Sequence, residues 1–280
     1  ITSAIDSIIP LLDGPPRLQF FAAEALGKLQ AQGSQQALIQ TLHSNNGQDP
    51  FLRHAIVRAL AQLGTIPLSE NQRIHSSVAV RHGVLLAQRQ MHSNDIRAFL
   101  HDPEPSIVFE AIRAIYDVPL ENCFKDLVGL RYSRDIPLPV FRRLLFAMRR
   151  QADTEAAGKL ADTALNQELT DKRRELALSI LIDWEQPLKR DPVHGHWWPS
   201  QEGNSLLIRN VIDSMIHPLL EESNPVFQRF AVELIHQYQL SGYRTNLTEL
   251  ATHSNSPSSL RAASLSALDR LDLPFSKQLL

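Results

Sequence analysis

Three residues with ligand chemistry, Asp191, His194 and His196, fall within six positions of one another, close to the spacing at which a loop can fold around zinc or a similar ion. A carboxylate and two imidazoles would supply three donors of a tetrahedral set. No fourth ligand is apparent nearby, so the same residues also read as solvated loop side chains, and no metal or other cofactor is assigned. A second group is basic: Arg142, Arg143, Arg149 and Arg150, then Lys172, Arg173 and Arg174. Asp153, Glu155, Asp171 and Glu175 lie among them, which fits a solvated, salt-bridged face; the alternative is a basic strip for an acidic partner or nucleic acid. A third signal is the recurrence of Arg53-His54 and Arg81-His82 at equivalent helical positions. Asp49 stands four residues before Arg53, so an ion pair along the helix is expected there. The recurrence itself suggests a ladder of structural hydrogen bonds between repeats, with a binding role as the alternative.

Catalytic signatures are absent from the sequence. There is no GxSxG, no HExxH and no glycine-rich phosphate loop. The single cysteine, Cys123, excludes an internal disulfide, and without CxxC or CxxCH this chain holds neither an iron–sulfur cluster nor a covalently attached c-type haem. Cys123 reads as a small buried hydrophobe. No catalytic residue is assigned.

Most of these residues surround or lie in one unusual stretch, Trp184-Glu-Gln-Pro-Leu-Lys-Arg-Asp-Pro-Val-His-Gly-His-Trp-Trp-Pro-Ser-Gln-Glu-Gly203. It holds all three tryptophans, and Pro187, Pro192 and Pro199 forbid a continuous helix through it. We read 185–204 as an inserted loop. Its apolar rings need burial, either as a lid on the chain's own core or against a neighbouring domain or ligand. Trp184, Asp191, His194, His196, Trp197 and Trp198 are its candidate interaction residues.

The elements that carry this loop are repeats. Asp49-Pro-Phe-Leu-Arg-His-Ala-Ile-Val-Arg-Ala-Leu60, Pro105–Ile115, Asn224–Leu234 and Ser258–Leu268 can be laid over one another, and Pro16–Leu29 is a fifth copy. Weaker copies start near Ser76, Pro137 and Asp171. Neighbouring copies lie roughly 30 to 35 residues apart, the range of two-helix repeats. Each opens on Pro or on Asp, Asn or Ser and continues with an apolar stripe of helical period, as in Leu52, Ile56, Ala59, Leu60 and Leu63. Second helices are expected at 34–44, 93–100, 121–131, 154–167, 205–221 and 244–253. The clearest has the stripe Ile208, Val211, Ile212, Met215, Ile216 and Leu219. Between Gly64 and Gln72, around Pro67, a loop replaces most of a second helix. No sheet is expected. The fold class is all-α, an α-α superhelix of HEAT or armadillo type with about seven to eight two-helix repeats, read as one solenoid over 1–280.

Composition agrees. Hydrophobic residues make up 43% and aromatics only 6%, so the core must come from aliphatic, helix-favouring side chains. A formal net charge of −2 removes the basic excess expected of a dedicated nucleic-acid binder. No apolar run reaches the length that spans a bilayer. The chain starts at Ile1 and stops soon after an eighth first helix, so we expect a region of a longer protein ending on a half-repeat.

Asp49–Ala55, Ala79–Ala87 and Phe99–Pro119 resemble the HEAT segment of large bacterial proteins described as membrane-bound dehydrogenase-like or PVC-type haem-binding proteins. The loop from Trp184 through Asp191-Pro-Val-His-Gly-His-Trp-Trp-Pro199 is similar to that family's Trp, Asp, Val, Gly, Trp-Arg-Pro loop, with Trp198 standing where the family has Arg. The resemblance implies that a sugar-dehydrogenase-like propeller and a cytochrome-c-like domain flank such an array and hold its redox chemistry. It also implies export, as to a periplasm. The expected function is a non-catalytic scaffold for protein–protein or interdomain contacts. The rival is a DNA-groove binder of the HEAT-type alkylpurine-DNA glycosylase kind, and nucleic acid is the disfavoured partner. A HEAT-type chromophore lyase or chaperone is a third, generic alternative.

Overall fold

Helix starts follow from caps written into the sequence. Asp49 Oδ1 accepts from the Phe51 and Leu52 amides at 2.8 and 3.1 Å, just ahead of Pro50. Asn224 accepts from the Val226 amide at 3.0 Å ahead of Pro225, and Asp153 from the Ala156 amide at 2.8 Å. Each cap satisfies amides that a first turn leaves bare, and a first-turn proline has no amide to satisfy.

The computed structural model describes residues 2–64, 75–131 and 135–276. Its helices are α1 (Thr2–Ile8), α2 (Pro16–Lys28), α3 (Gln35–Asn45), α4 (Pro50–Gln62), α5 (Val78–Gln90), α6 (Pro105–Asp117) and α7 (Phe124–Val128), followed by α8 (Leu138–Gln151), α9 (Thr154–Leu165), α10 (Asp171–Ile182), α11 (Ser205–Leu220), α12 (Pro225–Gln237), α13 (Arg244–Thr252) and α14 (Ser258–Ser276). Among the described residues there is no strand, and one isolated antiparallel bridge joins Arg190 and Trp197. The fold is all-α.

Every expected first helix is present, as α2, α4, α5, α6, α8, α10, α12 and α14. Four expected second helices form as α3, α9, α11 and α13. The two expected at 93–100 and 121–131 are tighter. Asn94–His101 is a 3-10 segment, and a 3-10 turn at Glu121–Cys123 runs into the short α7. A 3-10 segment rises about 2.0 Å per residue against about 1.5 Å in an α-helix, so it spans more length with the same residues. The shortened repeat read over Gly64–Gln72 lies, beyond Gly64, outside the described residues.

Contacts divide the chain into two compact units, Ile1–Leu130 and Arg131–Leu280. In the first, α2 packs on α4, α4 on α5 and α5 on α6, with α3 against α4 and α5. Leu26, Leu42, Ile56, Leu60, Leu85 and Ile112 are fully buried in the shared seam. A Cβ on Gly27 would stand 2.8 Å from the Ala59 Cα, so the absent side chain sets how closely α2 meets α4. In the second unit α10 packs on α12 and α12 on α14, while α9 packs on α10 and α11, and α13 on α14. Phe141, Leu144, Leu178, Ile212, Phe227 and Ile235 fill that core. Burying each such side chain contributes about 1.5–3 kcal/mol, available only when a neighbouring helix covers it.

The paired Arg-His positions take different roles. Arg81, buried on α5, donates from Nε and Nη2 to Asp102 at 2.8 and 3.0 Å and from Nη1 to the His75 and Ser76 carbonyls at 2.7 and 3.1 Å. Asp102 lies in the turn before α6, so Arg81 ties α5 to the start of the next helix, one bond where a ladder is expected. Arg53 departs from expectation: the pair with Asp49 does not form, because Asp49 is occupied in capping α4. Arg81→Leu leaves the Asp102 carboxylate buried without its cation, and urea unfolding is expected to show a loss of about 3–5 kcal/mol. Arg53→Gln is expected to cost less than about 1 kcal/mol. Equal losses would contradict the assignment.

Candidate functional site

The segment between α10 and α11 cannot be helical, so its backbone groups need partners from elsewhere. Part of the answer is internal. The Asp191 amide donates to the His196 carbonyl at 2.9 Å and the Gly195 amide to the Asp191 carbonyl at 2.7 Å, closing a tight turn whose Gly195 has φ +75°. Asp191 Oδ2 accepts from the Val193 and His194 amides at 3.2 and 2.6 Å. The Ser200 amide bonds the Leu188 carbonyl at 2.9 Å, and Ser200 Oγ accepts from the Leu188 amide at 3.0 Å.

Three further bonds come from α8. Arg142 Nη2 donates to the Pro192 carbonyl at 2.8 Å, Arg149 Nη2 to the Gln186 carbonyl at 2.7 Å, and Arg150 Nη2 to the Trp198 carbonyl at 3.0 Å. Two of these guanidiniums also lie over indoles. Arg149 Cζ is 5.3 Å from the Trp184 ring centre and Arg150 Cζ is 3.4 Å from that of Trp198. Such contacts are worth about 0.5–2 kcal/mol, rising as the pair is desolvated. Arg150 is also 3.6 Å from Asp191 Oδ1. Arg149, at 2% exposure, is among the largest buried side chains. Burial pulls its guanidinium below the ordinary arginine range, with the neighbouring Arg150 charge acting the same way.

The ring positions divide sharply. Trp184 is fully buried, and Gly203 is pressed against it: a Cβ there would meet the Trp184 carbonyl oxygen at 2.3 Å and its Nε1 at 2.6 Å. Trp198 is half-buried beneath a stack in which His196 lies 6.1 Å from it and His194 5.5 Å from His196. Trp197 is 67% exposed. Trp184 therefore acts as a core anchor, whereas Trp197 points away from the chain's own core. Burial against the chain's own core, one of the two readings of the loop rings, holds for Trp184, whereas Trp197 is left exposed.

The expectation for the basic zone is corrected, and the three possible ligands of the loop are placed apart. Asp191, His194 and His196 are not gathered around one point. The carboxylate is buried and bonded to the loop's own amides, while the two imidazoles are exposed. Among the described residues no group of three His, Cys, Asp or Glu side chains is placed to hold a metal ion. The basic zone is not a solvated face either, because Arg149 and Arg174 are buried and the Arg150 side chain is 5% exposed. Arg174 donates to the Ala164 carbonyl at 2.8 Å, pairs with Glu222 and lies over Phe227 at 3.9 Å. Arg173 donates to the Ile136 carbonyl and lies over Phe141 at 5.1 Å. Arg143 donates to the Pro139 carbonyl at 2.8 Å, one turn back on its own helix.

Leu206 and Leu207 also belong to the site. They open α11 directly after the loop and are 79% and 58% exposed. Both fall off the apolar stripe that begins at Ile208, which marked them in the sequence as outward-facing. Cys123 is buried, and burial pushes its thiol up, away from the reactive thiolate. No described helix is long and apolar enough to cross a membrane.

No family model matches the chain, and no curated protein is similar to it. Among solved structures it is similar to one described as a crystal structure of an engineered protein. That match has 14% identity, covers 96% of this chain and 97% of the other, and has a TM-score of 0.31. At that score the likeness carries no argument about fold or function.

The tryptophans are expected to separate in urea unfolding. Trp184→Ala should cost about 3–5 kcal/mol through the cavity it leaves. Trp198→Ala should cost about 1–2 kcal/mol through the lost cation–π contact. Trp197→Ala should change stability by no more than about 0.5 kcal/mol. A loss at Trp197 matching that at Trp184 would contradict the division between anchor and display.

Proposed function

We propose that this chain is a non-catalytic HEAT-type solenoid, an α-α superhelix of two-helix repeats, that serves as a scaffold for protein–protein or interdomain contacts. In this reading it belongs to a larger exported redox protein with propeller and cytochrome-c-like neighbours, and its partner is a protein or one of those domains. One observation carries the proposal. Trp197 is held out at 67% exposure on a loop whose backbone is fixed from below by Arg142, Arg149 and Arg150. A large ring on a preorganised support suits an interface anchor, because little ordering entropy remains to be lost on binding. The exposed Leu206 and Leu207 add apolar area on the helix that follows.

The same wiring disfavours the DNA-groove alternative. Phosphate binding draws on accessible guanidiniums, and here Arg149, Arg150 and Arg174 are buried side chains, while Arg142 and Arg173 each turn one donor to a carbonyl of this chain.

Duplex DNA titrated against salt should show only weak binding, with a log–log slope shallower than about −2. A slope steeper than about −5 would overturn the scaffold reading. The reading frame should encode a propeller before Ile1 and a CxxCH domain after Leu280. Against such a domain expressed as a separate chain, Trp197→Ala should weaken association about tenfold or more without lowering the melting temperature. Unchanged association would contradict the role given to Trp197.

A further inference from the structure

The first unit contains a cleft that the scaffold reading does not use. It has a volume of about 510 Å³, inside the range of about 300–1,000 Å³ typical of small-ligand sites. Arg53 and His54 of α4 and Arg89 and His92 at the end of α5 line it, over a floor that includes Val57 and Leu86.

The cations of this cleft are not equally occupied. Arg89 is 2.7 Å from Glu110 and 3.6 Å from Asp117. Glu110 has no oxygen to spare: Oε1 faces Arg89 and Oε2 faces Arg113, each at 2.7 Å. Asp49 is held by the first-turn amides of α4. Among the described residues Arg53 pairs with no carboxylate, whereas Arg81, at the equivalent position of the next helix, has Asp102. Its charge is felt locally, since burial first and the Arg53 charge second hold the neighbouring His82 below the ordinary histidine range. A half-buried guanidinium beside apolar surface selects a planar anion that it can bind with two parallel hydrogen bonds.

We propose that this cleft binds a carboxylate joined to an apolar group, with the carboxylate on Arg53 and the apolar group against Val57 and Leu86. A small organic acid or the free carboxyl terminus of a peptide can supply that chemistry. His54 and His92 stand at the rim as further donors.

Ligand-detected NMR titration of the full chain tests this, with benzoate and N-acetyl-glycyl-phenylalanine as probes. Binding of either is expected, with benzoate alone indicating a small organic acid and the peptide alone a chain terminus. Benzamide, which lacks the charge, should bind at least tenfold more weakly. Arg53→Gln should lower probe affinity at least tenfold, and Arg53→Lys, which keeps the charge, should retain part of it. The proposal is overturned if neither probe binds, if benzamide competes equally, or if Arg53→Gln binds like the parent chain. Tighter binding of inorganic phosphate than of benzoate would overturn the carboxylate assignment.

Discussion

An amphipathic helix buries its apolar stripe only against a neighbouring helix, and that requirement organises both units of this chain. In the first unit α2, α4, α5 and α6 pack in succession; in the second α10, α12 and α14 do so. The seams are made of Leu, Ile and Phe at helical spacing, with small residues such as Gly27 and Ala59 where helices come closest. Once the seams are set, anything inserted between the helices of a pair must settle on what the seams leave available. The stretch from Trp184 to Asn204 is such an insertion, and it settles by sinking Trp184 into the core and hanging its backbone on guanidiniums of α8.

That arrangement runs against simple electrostatics. A buried cation normally requires a carboxylate, and Arg149 instead faces a carbonyl and an indole ring. Arginine suits this environment better than lysine. Its charge is delocalised, its donors are spread over a plane, and its face stacks on aromatic rings. One side chain then satisfies loop carbonyls and covers tryptophan at once. Desolvation costs several kcal/mol, and the carbonyl bond and the indole contact of Arg149 offset part of it.

Much of the fold could be read from the sequence, because its signals are local. A cap, a proline and a stripe of period 3.6 lie within a dozen residues of one another, and each first helix starts where that grammar places it. The limits of the insertion were equally readable from its prolines. Two kinds of feature were not. Local rules conflict when one residue can satisfy two of them: Asp49 can cap α4 or pair with Arg53, and the amides of a first turn win over a half-buried cation. Long-range partners that are backbone carbonyls leave no trace in residue type. Arg149 reaches Gln186 across 37 positions and Arg142 reaches Pro192 across 50, and nothing in the identities of Gln186 or Pro192 marks them as acceptors. Those arginines consequently read as a surface, although three of the six in the basic zone lie inside.

The claim that matters most is that the insertion is a fixed platform held by α8. Amide hydrogen exchange measures this directly. In the parent chain the Asp191, His194 and Gly195 amides, which bond the His196 carbonyl, the Asp191 carboxylate and the Asp191 carbonyl, should exchange slowly. In Arg150→Ala that protection should collapse while the amides of α10 and α12 keep theirs. Free exchange of the three loop amides in the parent chain would contradict the account, as would full protection in the variant.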